Sequence, residues 1–136
     1  MANHWMRSAV AVTAALALAG CTADIPEPDR DLRIAAECAA VKAGYDTWAA
    51  SPALPKSQLV ADTLNQEQLD QLEREAAGFR TALEPYQGEP VRYLKMALTT
   101  VERVVGNSAP GQVGEILDAT SGVEAAYLTY SVDVCA

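Results

Sequence analysis

Asn65-Gln66-Glu67-Gln68-Leu69-Asp70-Gln71-Leu72-Glu73-Arg74-Glu75-Ala76-Ala77-Gly78-Phe79 is the stretch that decides the fold. Asn65 is a preferred N-cap, and Gln68 three residues on completes a capping box, each side chain reaching the other residue's backbone N–H. Leu64 before the cap and Leu69 after it have the spacing of a hydrophobic staple. Leu69, Leu72, Ala76, Phe79, Leu83 and Tyr86 then recur every three or four residues, the period of one helix face. Glu67, Asp70, Glu73 and Arg74 occupy the opposite face, with Asp70 and Arg74 at the favourable i,i+4 spacing. Pro85 and Gly88 close the element.

The same period extends in both directions. Upstream, Ile34, Cys38, Val41, Tyr45 and Trp48 form one stripe, and the helix is expected to begin near Asp29 or Asp31, acids suited to its N-terminus. Gly44 is unfavourable in mid-helix by about 1 kcal/mol and marks a close helix contact. Ser51-Pro52 ends this helix, and Ala53 to Thr63 reads as a connection in which Ser57 to Asp62 has room for one turn. Downstream, Pro90 suits a first helical position. Val91, Leu94, Leu98, Val101 and Val105 give the third stripe, and Gly106-Asn107 gives its stop. The last stripe is Ile116, Thr120, Val123, Tyr127, Tyr130 and Val134. Here two readings stand: a continuous helix, or one broken near Gly122 with a strand-like Tyr127 to Val134.

Half of the 136 residues are hydrophobic but only 6% aromatic. Alanine supplies much of that apolar content, which favours helices in close approach. Four helices with short connections give the expected fold class: all-α, a small antiparallel four-helix bundle.

The amino end is built differently. Arg7 precedes an apolar run from Ser8 to Ala19, which ends on Leu18-Ala19-Gly20-Cys21 and gives way to Asp24-Ile25-Pro26-Glu27-Pro28-Asp29. A basic start, a short apolar core and a small-residue junction describe a secretory leader. The junction resembles the lipobox of bacterial lipoproteins, the substrates of signal peptidase II. That resemblance implies that Cys21 takes a diacylglyceryl thioether, that the chain is cut before it, and that the new amine is acylated, palmitate being a typical chain. The implied organisation is a signal peptide over 1–20, a lipidated cysteine with a Pro- and acid-rich tether over 21–29, and a helical domain over 30–136. A tether from Thr22 to Asp29 reaches less than about 30 Å at roughly 3.3 Å per residue, which keeps the domain near the membrane.

With Cys21 lipidated, Cys38 and Cys135 remain, and outside the cytoplasm two leftover thiols are expected to form a disulfide. In an up-down-up-down bundle the first helix starts where the fourth ends. The topology therefore brings Cys38 and Cys135 to one pole independently of compartment. The far pole then holds Ser51 to Thr63 and Gly106 to Gln112.

Several functions are disfavoured on chemical grounds. His4, the single histidine, lies in the leader, so the exported chain has no imidazole for acid–base catalysis or transition-metal binding. Lys56-Ser57 are adjacent in a connection, and Glu67, Asp70, Glu73, Asp29 and Asp31 read as solvated helix faces. No catalytic residue, metal or cofactor is expected. Removing Arg7 leaves nine basic and eighteen acidic side chains, a net charge of −9 that disfavours nucleic acid. The expected function is a lipid-anchored adaptor on the extracytoplasmic face of the cell membrane, binding an envelope protein. The alternative is a carrier of lipid or another small apolar ligand, with a cavity between the helices. Candidate contact residues are Leu54, Leu59 and Val60 in the aperiodic connection, which could instead cap the core, and Tyr93, which lies off the third stripe beside Arg92.

Overall fold

The computed structural model describes residues 27–57, 61, 63–110 and 114–136. Among them the regular structure is four helices and no strand: α1 (Glu27–Ala49), α2 (Gln66–Ala82), α3 (Glu89–Gly106) and α4 (Gly114–Cys135). The all-helical, disulfide-tied bundle expected from the sequence is present, with Cys38 and Cys135 bonded and their Cα atoms 5.8 Å apart. Residues 1–26, which include Cys21 and the stretch expected to be a leader, lie outside the described residues.

Helix α2 starts as its sequence dictates. The Gln68 N–H donates to Asn65 Oδ1 at 2.9 Å, and the Asn65 N–H donates to Gln68 Oε1 at 2.9 Å. Leu64 and Leu69 on either side of the cap are both buried. Asp70 departs from expectation, accepting from Gln66 Nε2 at 2.8 Å instead of pairing with Arg74. Helix α3 begins at Glu89-Pro90, where proline's missing N–H leaves no helical bond unmade. Its N-cap Gly88 has φ +121°, a backbone conformation that side-chain-bearing residues rarely adopt. The helix ends at Gly106, the stop expected from Gly106-Asn107. Asn107 is right-handed, and its side chain donates to the Arg103 carbonyl at 2.8 Å, while Ser108 Oγ donates to that of Val104 at 2.6 Å. These side chains share the last carbonyls with the backbone, the Asn107 N–H also donating to Arg103 and the Ser108 N–H to Val105.

One other boundary is corrected and one open reading is settled. Helix α1 begins at Glu27, before Asp29, so Pro28 opens a helix instead of extending the tether. Helix α4 runs unbroken through Gly122 to Cys135. The β-prone Tyr127 to Val134 is helical because its apolar residues pack: Tyr130 is buried, and Tyr127 and Val134 lie against the core.

Each helix packs on its sequence neighbours, and α4 closes back onto α1. The α2–α3 and α3–α4 contacts are far more extensive than those made by α1. The five stripe residues of α3 (Val91, Leu94, Leu98, Val101 and Val105) are all buried, as are Leu69, Leu72, Ala76, Phe79 and Leu83 facing them. Arg80 clamps α2 to α3 by a fork on Glu102, Nε to Oε2 at 2.7 Å and Nη2 to Oε1 at 3.2 Å. That carboxylate also holds the guanidinium pKa above its ordinary value, since the hydrogen bond favours the charged form.

Gly44 marks the close contact between α1 and α2. A Cβ there would lie 2.5 Å from Cε2 and 2.7 Å from Cδ2 of the buried Phe79 ring. Gly44→Ala is therefore expected to destabilise the fold by about 1–3 kcal/mol, overpacking outweighing the gain in helix propensity. A Cβ at Gly122 meets nothing within 4 Å. Gly122→Ala is expected to stabilise by about 0.5–1 kcal/mol. Urea unfolding of the two variants checks the opposite signs, and equal shifts would contradict this packing.

Candidate functional site

The α1–α4 seam carries most of the polar and aromatic interactions that hold α1. Beside the disulfide, the buried Tyr130 hydroxyl donates to Glu37 Oε1 at 2.9 Å. Two turns along α1, Tyr45 stacks on Tyr127 with ring centroids 3.8 Å apart. Burial pushes the Tyr130 phenol well above the ordinary tyrosine value of 10, and the Glu37 carboxylate adds to this by hydrogen bonding and charge. Burial raises Tyr45 in the same direction.

These shifts fix a sign. A folded-state pKa above the unfolded one means that beyond pH 10 the unfolded chain releases protons that the fold retains. Stability is thus fully expressed below about pH 10 and declines as pH rises further. Tyr130→Phe should flatten that decline, leaving the part due to Tyr45. Urea midpoints between pH 9 and 11.5 test it, and parallel curves for the two proteins would contradict it.

The expected contact residues fall in different places. Tyr93 is 49% exposed on α3, its hydroxyl donating to Glu89 Oε1 at 2.9 Å. The Arg92 guanidinium carbon lies 5.5 Å from the Tyr93 ring centroid. Leu54 is half-buried against the core, and its neighbours Ala53 and Pro55 are buried, which fits a cap over the end of the bundle. Ser51 anchors that turn, Oγ accepting from the Ala53 N–H at 3.2 Å. Leu59 and Val60 lie outside the described residues. Tyr93 and Leu54 line no common cleft among those described.

Several clefts mark the surface among the described residues, and four of them bear on function. One of about 670 Å³ gathers Arg30, Arg33, Ile34 and Glu37 of α1, the turn from Pro85 to Gly88, and Val134 of α4. A second, of about 410 Å³, adjoins it across Tyr86, Gln87 and Gly88 and adds Arg92 and Lys95. A third, of about 320 Å³, lies between the end of α1, Leu54 to Lys56 and the start of α4. The fourth, of about 380 Å³, runs along the α1–α2 seam, where Ala43, Gly44, Gly78 and Ala82 leave room beside Trp48 and Phe79. Glu75 lines it too, with Oε1 accepting from Gln71 and Oε2 buried with no hydrogen-bond partner in the structure. Among the described residues no group of three or more His, Cys, Asp or Glu side chains is placed to hold a metal ion.

Comparison with protein families, curated proteins and solved structures finds no match to the chain. Sequence reasoning missed the grouping of Arg30 and Arg33 with Arg92 and Lys95. A signal was present: each pair sits near the start of a helix, and the up-down-up-down order expected from the sequence would send both starts to one pole.

Proposed function

We propose that the chain is a lipid-anchored lipoprotein of the extracytoplasmic face of a cell membrane, acting as an envelope adaptor and not as an enzyme. The observation that carries this reading is Leu18-Ala19-Gly20-Cys21 at the end of an apolar leader. The Cys38–Cys135 bond supports it, because such a disulfide persists in an oxidising compartment. Within this reading the bundle is antiparallel. The support is that early α1 meets late α4 through Cys38 and Cys135, and Tyr45 meets Tyr127. On the other side, Arg80 late in α2 pairs with Glu102 of α3, and Gly106 at the end of α3 adjoins Glu73 nearer the start of α2.

An adaptor fits better than a carrier because the large side chains of the core are closely buried and the clefts open on the surface. Side faces and loops are then available to a protein partner held at the same membrane. Photo-crosslinking from position 93 in living cells tests this. The anchored protein should give a discrete adduct of one size, reduced when the neighbouring Arg92 is replaced by alanine. No adduct from this position or from position 54 would contradict the adaptor reading.

A further inference from the structure

Basic side chains are scarce in this acidic chain, yet four of them border one turn. Arg30 and Arg33 line the larger cleft at the Pro85–Gly88 turn, and Arg92 and Lys95 line the smaller one adjoining it. Two carboxylates share the lining, and both are engaged: Glu37 accepts from Tyr130, and Glu89 accepts from Arg92 and Tyr93. Lys95 donates to the Tyr86 carbonyl at 2.8 Å. Arg30 and Arg33 have no carboxylate or carbonyl partner among the described residues. They stand three apart on a helix, where side chains are neighbours. Asp29 and Asp31 are exposed and line neither cleft.

We infer that this double cleft seats the head-group phosphate of an anionic phospholipid, in the bilayer that carries the anchor. The inference rests on the lipoprotein reading above, and three observations select this occupant. Helix α1 begins at Glu27, so Cys21 can stand at most about 20 Å from the end of the domain that bears Arg30 and Arg33. Leu32, 70% exposed in the same turns of α1 though lining neither cleft, adds an apolar side chain to the tethered end of the helix, which membrane interfaces accommodate. The charge contrast completes the case. A domain this acidic is repelled by an anionic surface in most orientations, whereas the larger cleft is lined by two guanidinium groups together with apolar Ile34 and Val134. Arginine also matches phosphate geometry through two N–H groups at once.

The test uses the exported protein, isotopically labelled and purified in a non-ionic detergent. It is titrated with dihexanoylphosphatidylglycerol, dihexanoylphosphatidylcholine or inorganic phosphate, each below any micelle-forming concentration. Amide shifts over 30–37 and 85–95 should saturate with the phosphatidylglycerol, with at least tenfold weaker responses to the other two. An Arg30→Gln/Arg33→Gln variant should lose tenfold or more in affinity at unchanged melting temperature and circular dichroism. Equal binding of phosphatidylcholine, equal binding of inorganic phosphate, an unaffected variant, or no saturable shift would each overturn the inference. The intact mass of the same sample separates the two layers: a lipidated protein that ignores phosphatidylglycerol refutes the cleft alone. An unlipidated one that binds it refutes the anchor.

Discussion

Breaking the Cys38–Cys135 bond is expected to lower the unfolding free energy by about 2–4 kcal/mol and to loosen α1 first. The two cysteines lie 97 residues apart in sequence. For a loop of that size the chain-entropy model gives about 4–5 kcal/mol, which native strain and residual denatured-state structure reduce. Where the loss is felt follows from packing. Helix α1 contributes the two thinnest helix–helix contacts, and its first turns are largely exposed. Once the sulfurs part, it is held by the Tyr130–Glu37 hydrogen bond, the Tyr45–Tyr127 stack, and the buried Val41 and Trp48. The broad α2–α3 contact involves neither cysteine, and α3 carries none. A reduced protein, or a Cys38→Ala/Cys135→Ala variant, should therefore keep its helical circular dichroism at low temperature while its urea midpoint falls. Amide exchange should quicken over 29–45 well before it does over 91–105, the pattern of a subglobal opening. An unchanged midpoint, or uniform loss of protection across all four helices, would contradict this account.

The second large effect concerns Cys21. Cys21→Ser should reduce acyl labelling to background and leave the leader on the chain. The thioether requires a cysteine sulfur as its nucleophile, and the lipobox resemblance places cleavage after that modification. Each buried methylene stabilises membrane residence by about 0.8 kcal/mol, and firm anchoring takes at least two chains. No helix among the described residues is long and apolar enough to cross a membrane. When the domain is instead exported behind a leader that is cut without lipidation, with Ser at position 21, it should leave the membrane fraction. A Cys21→Ser protein still labelled by fatty acid would contradict the assignment of the anchor to this residue.

Much of the fold was legible because apolar residues of contrasting size carry period information. The stripe of α3 is the clearest instance: Val91, Leu94, Leu98, Val101 and Val105 alternate with Arg92, Tyr93, Glu102 and Arg103, and all five are buried. The Asn65–Gln68 box was legible because its chemistry is local. Gly44 was legible as a close contact, though not its partner, since Phe79 approaches from another helix. Where alanine dominates, as over Ala35, Ala36, Ala39 and Ala40, contrast disappears, and the exposure of early α1 could not be read. The helicity of Tyr127 to Val134 was ambiguous for a different reason. Tyrosine, threonine and valine favour strands locally, and only their partners in α1 and the core decide the outcome. The Arg30–Arg33 and Arg92–Lys95 grouping lies across sequence distance as well. It depends on where the Pro85–Gly88 turn sits, which no spacing within either helix encodes.

The intact mass of the protein as the cell exports it, taken without reductant and again after reduction, tests the central claim most directly. The account predicts a chain that begins at Cys21, carries the diacylglyceryl group and an amide-linked acyl chain, and gains two hydrogens on reduction as Cys38 and Cys135 are freed. An unmodified chain that begins at any other residue, or one whose mass does not change on reduction, would contradict it.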